Sequence, residues 1–498
     1  MGNKRWTMAA FAAVFVLIVA ACGPSASNAP TGPGATTPAA SGPAATTPAG
    51  SAPPAAKNLP TVPTGYAELD QALTKGADGK MPFATKKVSI QTQWTGGEAT
   101  GFANAIADFQ AATGIVVQHD SIGSSHETVL KTRIEGGQPP DMAQIAQPTG
   151  VLAYAAQGKV KDIAAIVGAA GVAKLKAEFA STIGLTSQGD HIWSIPTKAD
   201  VKSMFWYPVK AFAAKGYTVP KTWDDLVKLS DKIIADGSHP WCVSAGGPGT
   251  ATGWELTDWI EEVLAKSEDP QVTSDWISHK IKFEDPKIKA AFDKVGGLLF
   301  KQGAIDGGGP QAVNNDLKTA MDPMFVGDTA TPGCWMQKIP TWYGPDFFPD
   351  RRTSGGDSKY KIGDDGDIAI APFPTISDQF KGVEGSSDSF MVLNDRPEVR
   401  ALAEFLATPE GLEGWIKSVG VLSPNSKVPA EWYAGNYKLK VANQILSGAT
   451  AVIFDASDLM PPTVGGGSFW TQISDWANQN GSNTDAVLKN IDDSWPAQ

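Results

Sequence analysis

The stretch 191–223, HIWSIPTKADVKSMFWYPVKAFAAKGYTVPKTW, constrains the rest of the chain more than any other. A strand-like run, Trp193 to Ile195, meets a proline break at Pro196. Lys198, Asp200 and Lys202 then form a charged patch, followed by the apolar run Met204 to Tyr207 and a short helix pattern ending at Gly216. After Pro220, Thr222 is placed to cap a new helix whose first turn carries Asp224 and Asp225. Trp206 and Tyr207 read as a strand in a new sheet. The stretch therefore predicts a crossing from one α/β unit into another, and a polar crossing between two lobes is where a cleft forms.

The flanks fit that reading. Residues 86–196 alternate strand and helix patterns: KVSIQTQ from Lys87, a helix over 99–112, a strand at 115–119, a helix over roughly 125–135, and a strand from Met142 to Ile145. Such alternation predicts parallel pairing, with binding at the carboxyl ends of the strands, where Trp94, Glu98 and Gln147 lie. Asp141, in the turn GGQPPD, reads as a structural turn residue. A second unit begins near 200 and returns near 375. It holds a helix at 223–235, a strand at 240–244, a helix at 283–300 and a strand at 367–371. The Gly-rich turn 246–253 lacks the Gly-Lys-Ser/Thr ending of a nucleotide loop, and Trp254, at the start of the next helix, is positioned to face a cleft. At 498 residues and 42% hydrophobic, the chain can bury at least two cores.

The N-terminus reads as an exported leader. Lys4 and Arg5 precede an apolar run, Met8 to Ala21, too short for an ordinary membrane span. Val19-Ala20-Ala21-Cys22 resembles a bacterial lipobox, so Cys22 is expected to carry lipid after removal of 1–21; ordinary cleavage with an incidental Cys22 is the alternative. Residues 22–63 are rich in Pro, Ala, Gly, Ser and Thr and read as a disordered tether. Residues 64–83 read as one amphipathic helix and a turn. Exported Cys242 and Cys334 favour a disulfide, with a buried free-thiol pair as the alternative. The scattered His residues and two cysteines make no metal site, and no cofactor is expected. A net charge of −11 argues against nucleic acid as the partner.

Several of these segments carry a family resemblance. WSIPTKADVKSMFWYPVKAFAAKGYTVPKTWDDL resembles the inter-lobe crossing of extracellular solute-binding proteins of sugar ABC importers. ATGWELTDWIEEVL, PGCWMQK, NDRPEVRALAEFLATPEGLEGW with its following SPN, and FDASDLMPPTVGGGSFW are similar to segments of the α-glucoside-binding members. The segment GVEGSSD departs from the Gly-x-Gly-Asp turn expected of them, which bears on Asp388. The resemblance implies an α/β, two-lobed, periplasmic-binding-protein-like fold with discontinuous lobes, 84–196 plus 386–440 and 200–375 plus 450–495. It implies ligand contacts from Trp94, Glu98, Gln147, Asp200, Lys202, Asp388 and Asp458, and stacking faces from Trp254, Trp335 and Trp470. The implied partners are an α-linked glucose disaccharide or short oligosaccharide and the permease subunits. The implied state is a monomer held by Cys22 outside the cytoplasmic membrane, with no enzymatic activity.

The residue inventory suits such a ligand. A disaccharide has apolar C–H faces and a rim of hydroxyls, which aromatic platforms and carboxylates satisfy in a partly dry cleft. A secreted glycoside hydrolase would share that inventory, but no catalytic motif is present. A cell-surface lectin would show isolated repeated modules, and none is visible.

Overall fold

In the computed structural model, residues 58–246, 253–326, 331–350 and 358–497 are described; the leader, Cys22 and the segment up to residue 57 lie outside them. The elements alternate as expected. Lobe one holds α1 (Ala67–Leu73), β1 (Lys87–Thr92), α2 (Gly97–Thr113), β2 (Val116–Ser121), α3 (His126–Glu135), β3 (Met142–Ile145), α4 (Pro148–Ala156), α5 (Ile163–Glu178) and β4 (Ile195–Val201). Lobe two holds β5 (Met204–Pro208), α6 (Trp223–Ala235), β6 (His239–Trp241), α7 (Trp254–Ser267), α8 (Pro270–Ile277), α9 (Pro286–Leu299), β7 (Cys334–Lys338) and β8 (Ile368–Pro372). The chain then returns through β9 (Gly382–Val392), α10 (Pro397–Leu406), α11 (Glu410–Val419), α12 (Tyr437–Ser447), β10 (Ala451–Phe454), α13 (Ala456–Leu459), α14 (Trp470–Asn478) and α15 (Thr484–Asp493).

The first sheet runs in the order β10-β9-β3-β1-β2, and β4 also pairs with β9. The β1–β2 and β1–β3 pairs are parallel, so their carboxyl ends open on one edge. The second sheet runs β8-β5-β7-β6. Each lobe has its own core. Trp94, Phe102, Phe109, Phe390 and Trp415 fill the first, and Trp241, Trp259, Trp276, Phe292 and Trp476 the second. Helix starts follow the capping chemistry: the Thr222 hydroxyl accepts from the Asp225 amide at 3.2 Å to open α6. Asp141 is structural, as expected. Its carboxylate accepts from the Ser89 amide at 2.8 Å and takes Arg396 on both oxygens, at 2.6 and 3.0 Å.

Four expectations need correction. Pro196 does not break the strand: β4 runs through it, opposite Ser389 of β9. The register slips between Asp388 and Ser389, which accommodates a residue lacking an N–H. The segment 382–388 is not a turn but the first half of β9, buried along almost all of its length between its partner strands. The tether does not extend to residue 63, because the Asn58 amide already donates to the Asp108 carboxylate at 3.0 Å and Leu59 packs on the first core. Residues 66–73 likewise belong to lobe one, burying Tyr66, Leu69 and Ala72, with the Leu69 amide held by Glu404 at 2.7 Å. Finally, α12 sits with lobe two, where Val441, Ala442 and Ile445 join Met204, Trp206 and Ile370. Its apolar stripe covers the face of the second sheet opposite the main core.

Cys242 and Cys334 form a disulfide with Cα atoms 5.2 Å apart, next to the parallel β6–β7 pair. It closes a loop of 92 residues. In the chain-entropy model, Cys334→Ser should lower unfolding free energy by about 4 kcal/mol. Denaturant titration of the oxidised protein and the variant checks the magnitude, and thiol titration of the unfolded, unreduced protein should find neither cysteine free.

Candidate functional site

The chain passes between the lobes at 201–204, again between β8 and β9, and again after β10, and backbone bonds knit these crossings together. The Lys202 amide donates to the Glu384 carbonyl and the Asp455 amide to the Gly385 carbonyl, each at 2.9 Å. The Ser203 hydroxyl donates to Glu262 at 2.7 Å and accepts from the Glu384 amide at 2.8 Å.

Two buried lysines sit at this junction. Residues 198, 200 and 202 alternate along one extended segment, so their side chains emerge on one face. The Lys198 ammonium lies 2.9 Å from Glu98, 3.2 Å from Asp200 and 3.3 Å from Asp388. Burial alone would lower its pKa, but Asp200, Glu98 and Asp388 overcome that and hold it well above the usual lysine value. Lys202 lies 2.5 Å from Asp455, 2.8 Å from Asp258 and 3.8 Å from Glu384. Among the described residues, Asp258, Glu384 and Asp455 form the grouping whose oxygens approach metal-ligand spacing, within 4.8 Å of one another. The Lys202 ammonium already supplies the cation there. Its pKa too is held well above normal: burial opposes the charge, and Asp258, Asp455 and Glu384 outweigh it.

Above this floor lies a cleft of about 220 Å³. Lobe one and the crossings line it with polar groups, among them Glu98, Glu127, Gln147, Asp200, Asp388 and Asp458. Lobe two lines it with Trp254, Trp342, Phe347 and Trp470. The Trp254 and Trp342 rings stand 6.1 Å apart and tilted by 58°, forming an aromatic corner, with Lys202 5.9 Å from the Trp254 ring. His126 closes the lobe-one side as a neutral ring. Burial is the chief cause that pushes its pKa down to about 4, and Nε2 lies 2.7 Å from the Gln144 carbonyl.

The lobes touch at the rim. A Cβ on Gly97, the first residue of α2, would fall 1.7 Å from Cγ of Asp346, so lobe two meets lobe one there on bare backbone. On the other side, the Thr149 hydroxyl lies 3.0 Å from the Asp458 carbonyl and 2.8 Å from that of Met460.

Of the expected ligand residues, Glu98, Gln147, Asp200, Lys202, Trp254, Asp388, Asp458 and Trp470 line this one cleft. Trp94 and Trp335 do not. Trp94 is fully buried in the first core, where its indole N–H donates to Asp388 at 2.9 Å and so orients a cleft carboxylate from behind. Trp335 packs against Tyr217 and Phe212 in the second core and donates to the Ser238 hydroxyl at 2.9 Å. Trp470 is only 7% exposed, so the broad aromatic faces belong to Trp254 and Trp342. Sequence reasoning missed Lys198, Glu127, Trp342 and Phe347 as cleft residues. Lys198 was recoverable from its two-residue spacing to Asp200 and Lys202. Trp342, in an irregular segment, carried no such signal.

A polar floor between two lobes with an aromatic wall matches what comparison finds. Residues 94–413 match the family model of the bacterial extracellular solute-binding proteins. The chain belongs to that family. The α-glucosides-binding periplasmic protein AglE of Rhizobium meliloti is 30% identical over 415 residues, covering 82% of this chain and 86% of the relative. The osmoprotective compounds-binding protein GgtB of Synechocystis is 30% identical over 412 residues, covering 82% and 93%. Maltose-bound MalE3 of T. maritima shares the fold at a TM-score of 0.62 and 15% identity, covering 82% of this chain and 98% of its own. The chain is thus a solute-binding protein and not an enzyme. No helix among the described residues is long and apolar enough to cross a membrane.

The lysine-centred floor makes a stability prediction. Lys202→Met leaves Asp258 and Asp455 without their nearest ammonium, while Glu384 keeps Lys338 at 3.1 Å, and should destabilise the protein by about 3–5 kcal/mol at neutral pH. Burial already raises the pKa values of Asp258 and Glu384, and loss of the Lys202 ammonium should push them further in the same direction. The variant's deficit should therefore shrink as pH falls toward the unfolded carboxylate range. Thermal unfolding of wild type and variant across pH checks the sign.

Proposed function

We propose that this solute-binding protein captures an α-linked glucose disaccharide, of the maltose, trehalose or sucrose type, and delivers it to its permease. The observation that carries the reading is the division of labour in the cleft. Most of the carboxylates and amides come from lobe one and the crossings, with Asp316 added from lobe two, which also supplies the Trp254–Trp342 corner. Hydroxyls on a sugar's rim match the first, and its C–H faces match the second. The 30% identity to an α-glucosides-binding relative supports the same ligand class.

Calorimetric titration with maltose, trehalose and sucrose tests it, and one or more should bind without product sugars appearing. Trp254→Ala should cost on the order of 2–4 kcal/mol of binding, roughly a 30- to 1,000-fold loss of affinity, with little change in the unliganded melting temperature. Binding of none of these glucosides, with tight binding of a small osmoprotective compound instead, would favour the ligand class named for the second relative.

The protein acts as a monomer outside the cytoplasmic membrane, held by an acyl chain on Cys22 at the end of a Pro/Ala/Thr-rich tether. Cys22→Ala should release the protein from the membrane fraction or block its processing. A variant processed normally that stays with the membrane would overturn the anchor.

A further inference from the structure

Asp458 is the cleft carboxyl that the protein leaves unsatisfied. It lines the cleft and is only 6% exposed. Among the described residues its side-chain oxygens accept no hydrogen bond and form no ion pair, whereas Asp388 has the Trp94 N–H and Lys198, and Asp455 has Lys202 and the Ser457 hydroxyl. Its backbone is pinned from both lobes: the amide donates to Asp455 at 2.9 Å, and the carbonyl accepts from Thr149 at 3.0 Å.

The surrounding charges are lopsided. Asp455 lies in the same turn, α7 contributes Asp258 and Glu261, and Glu127 lines the same cleft from α3. Lys202 is the cation that acts on Asp458, and it is already shared among three carboxylates. The other elements packed on α13 add little. Asp275 of α8 is bonded to Lys280, Tyr154 of α4 responds to Glu135 and Glu127, and β10 and the turn 464–469 hold no ionisable side chain. Burial first, then Asp455 against the opposing pull of Lys202, then Asp258 and Glu127, push the Asp458 pKa well above the usual carboxylate range. Glu127 is pushed up as well, chiefly by burial against the hydrogen bond from Gln147.

We propose that Asp458 meets the ligand as a neutral carboxylic acid and donates its O–H to a ligand oxygen. The inference rests on the glucoside reading and assigns that ligand an acceptor oxygen, hydroxyl or ether, at Asp458. A buried carboxyl kept neutral by its surroundings is a donor, not an acceptor. Such a site favours an uncharged glycoside, because an ammonium there would need the carboxylate form.

The sign of the pH dependence separates the two roles. If the protonated form binds, affinity is full below the Asp458 pKa, falls as pH rises through it, and binding takes up a proton. A carboxylate that accepts gives the opposite slope. Titration of the full-length protein with the disaccharide it binds should show affinity falling as pH rises from the usual carboxylate range to the alkaline side. Binding heats in two buffers of different ionisation enthalpy should report proton uptake at the alkaline end. Asp458→Asn keeps a donor and cannot ionise, so its slope and its proton uptake should both be smaller than those of wild type, while Asp458→Ala should lose affinity across the range. Wild-type affinity that is constant or rises with pH, proton release on binding, or an Asp458→Asn variant that keeps the wild-type slope overturns the inference. Should the Asn variant not fold, the wild-type slope and proton uptake decide alone. A protein that binds no disaccharide at any pH overturns the glucoside reading itself, and this inference with it.

Discussion

The Lys202 ammonium inside its ring of carboxylates is the constraint on which the junction of the lobes depends. Asp455 and Glu384 belong to the returning segments of the chain and Asp258 to α7, so one cation ties the crossings to lobe two. A buried charge is tolerable only where opposite charge and hydrogen bonds replace lost water. Here the acids outnumber Lys202 and the neighbouring Lys338, and several of them are driven toward the neutral form. Burial is the first cause of the raised pKa values of Glu255, Glu261 and Glu384, joined in each case by repulsion from neighbouring carboxylates.

The same arrangement fixes the character of the cleft. The floor is set by strands, so its carboxylates stand at defined heights. Lys198 and Lys202 pair with several of them, and Trp94 aims Asp388 from the core behind it. The wall opposite is aromatic because lobe two brings a helix start, Trp254, and an irregular segment, Trp342 and Phe347, to the same edge. The aromatic faces thus come from lobe two and most of the polar groups from lobe one and the crossings, with Asp316 and Lys318 added from lobe two, and a ligand satisfying both is held between the lobes.

Much of this was legible beforehand. Strand–helix alternation located β1 to β3 and their functional ends, the Thr222 cap located α6, and the crossing at 196–207 located the cleft. The failures were all tertiary. Pro196 looks like a strand end until the slipped register of β9 is known, and GVEGSSD looks like a turn because small residues also suit a strand buried on every side. Trp94 and Trp335 sit in motifs that elsewhere mark a site, but which face of an element an indole occupies depends on what packs against it. Trp342 lies in a segment without periodicity, so nothing local announced it.

Gly97 carries a consequence of another kind. Because Asp346 comes down on its bare backbone, the jaw shuts onto a spot where even a methyl group has no room. Rim and floor are therefore separate handles. The floor decides which solute is retained, whereas the rim decides how far the jaws travel and hence what outline a transporter meets. A side chain added at Gly97 would act as a wedge against Asp346, forcing the two lobes apart at the rim.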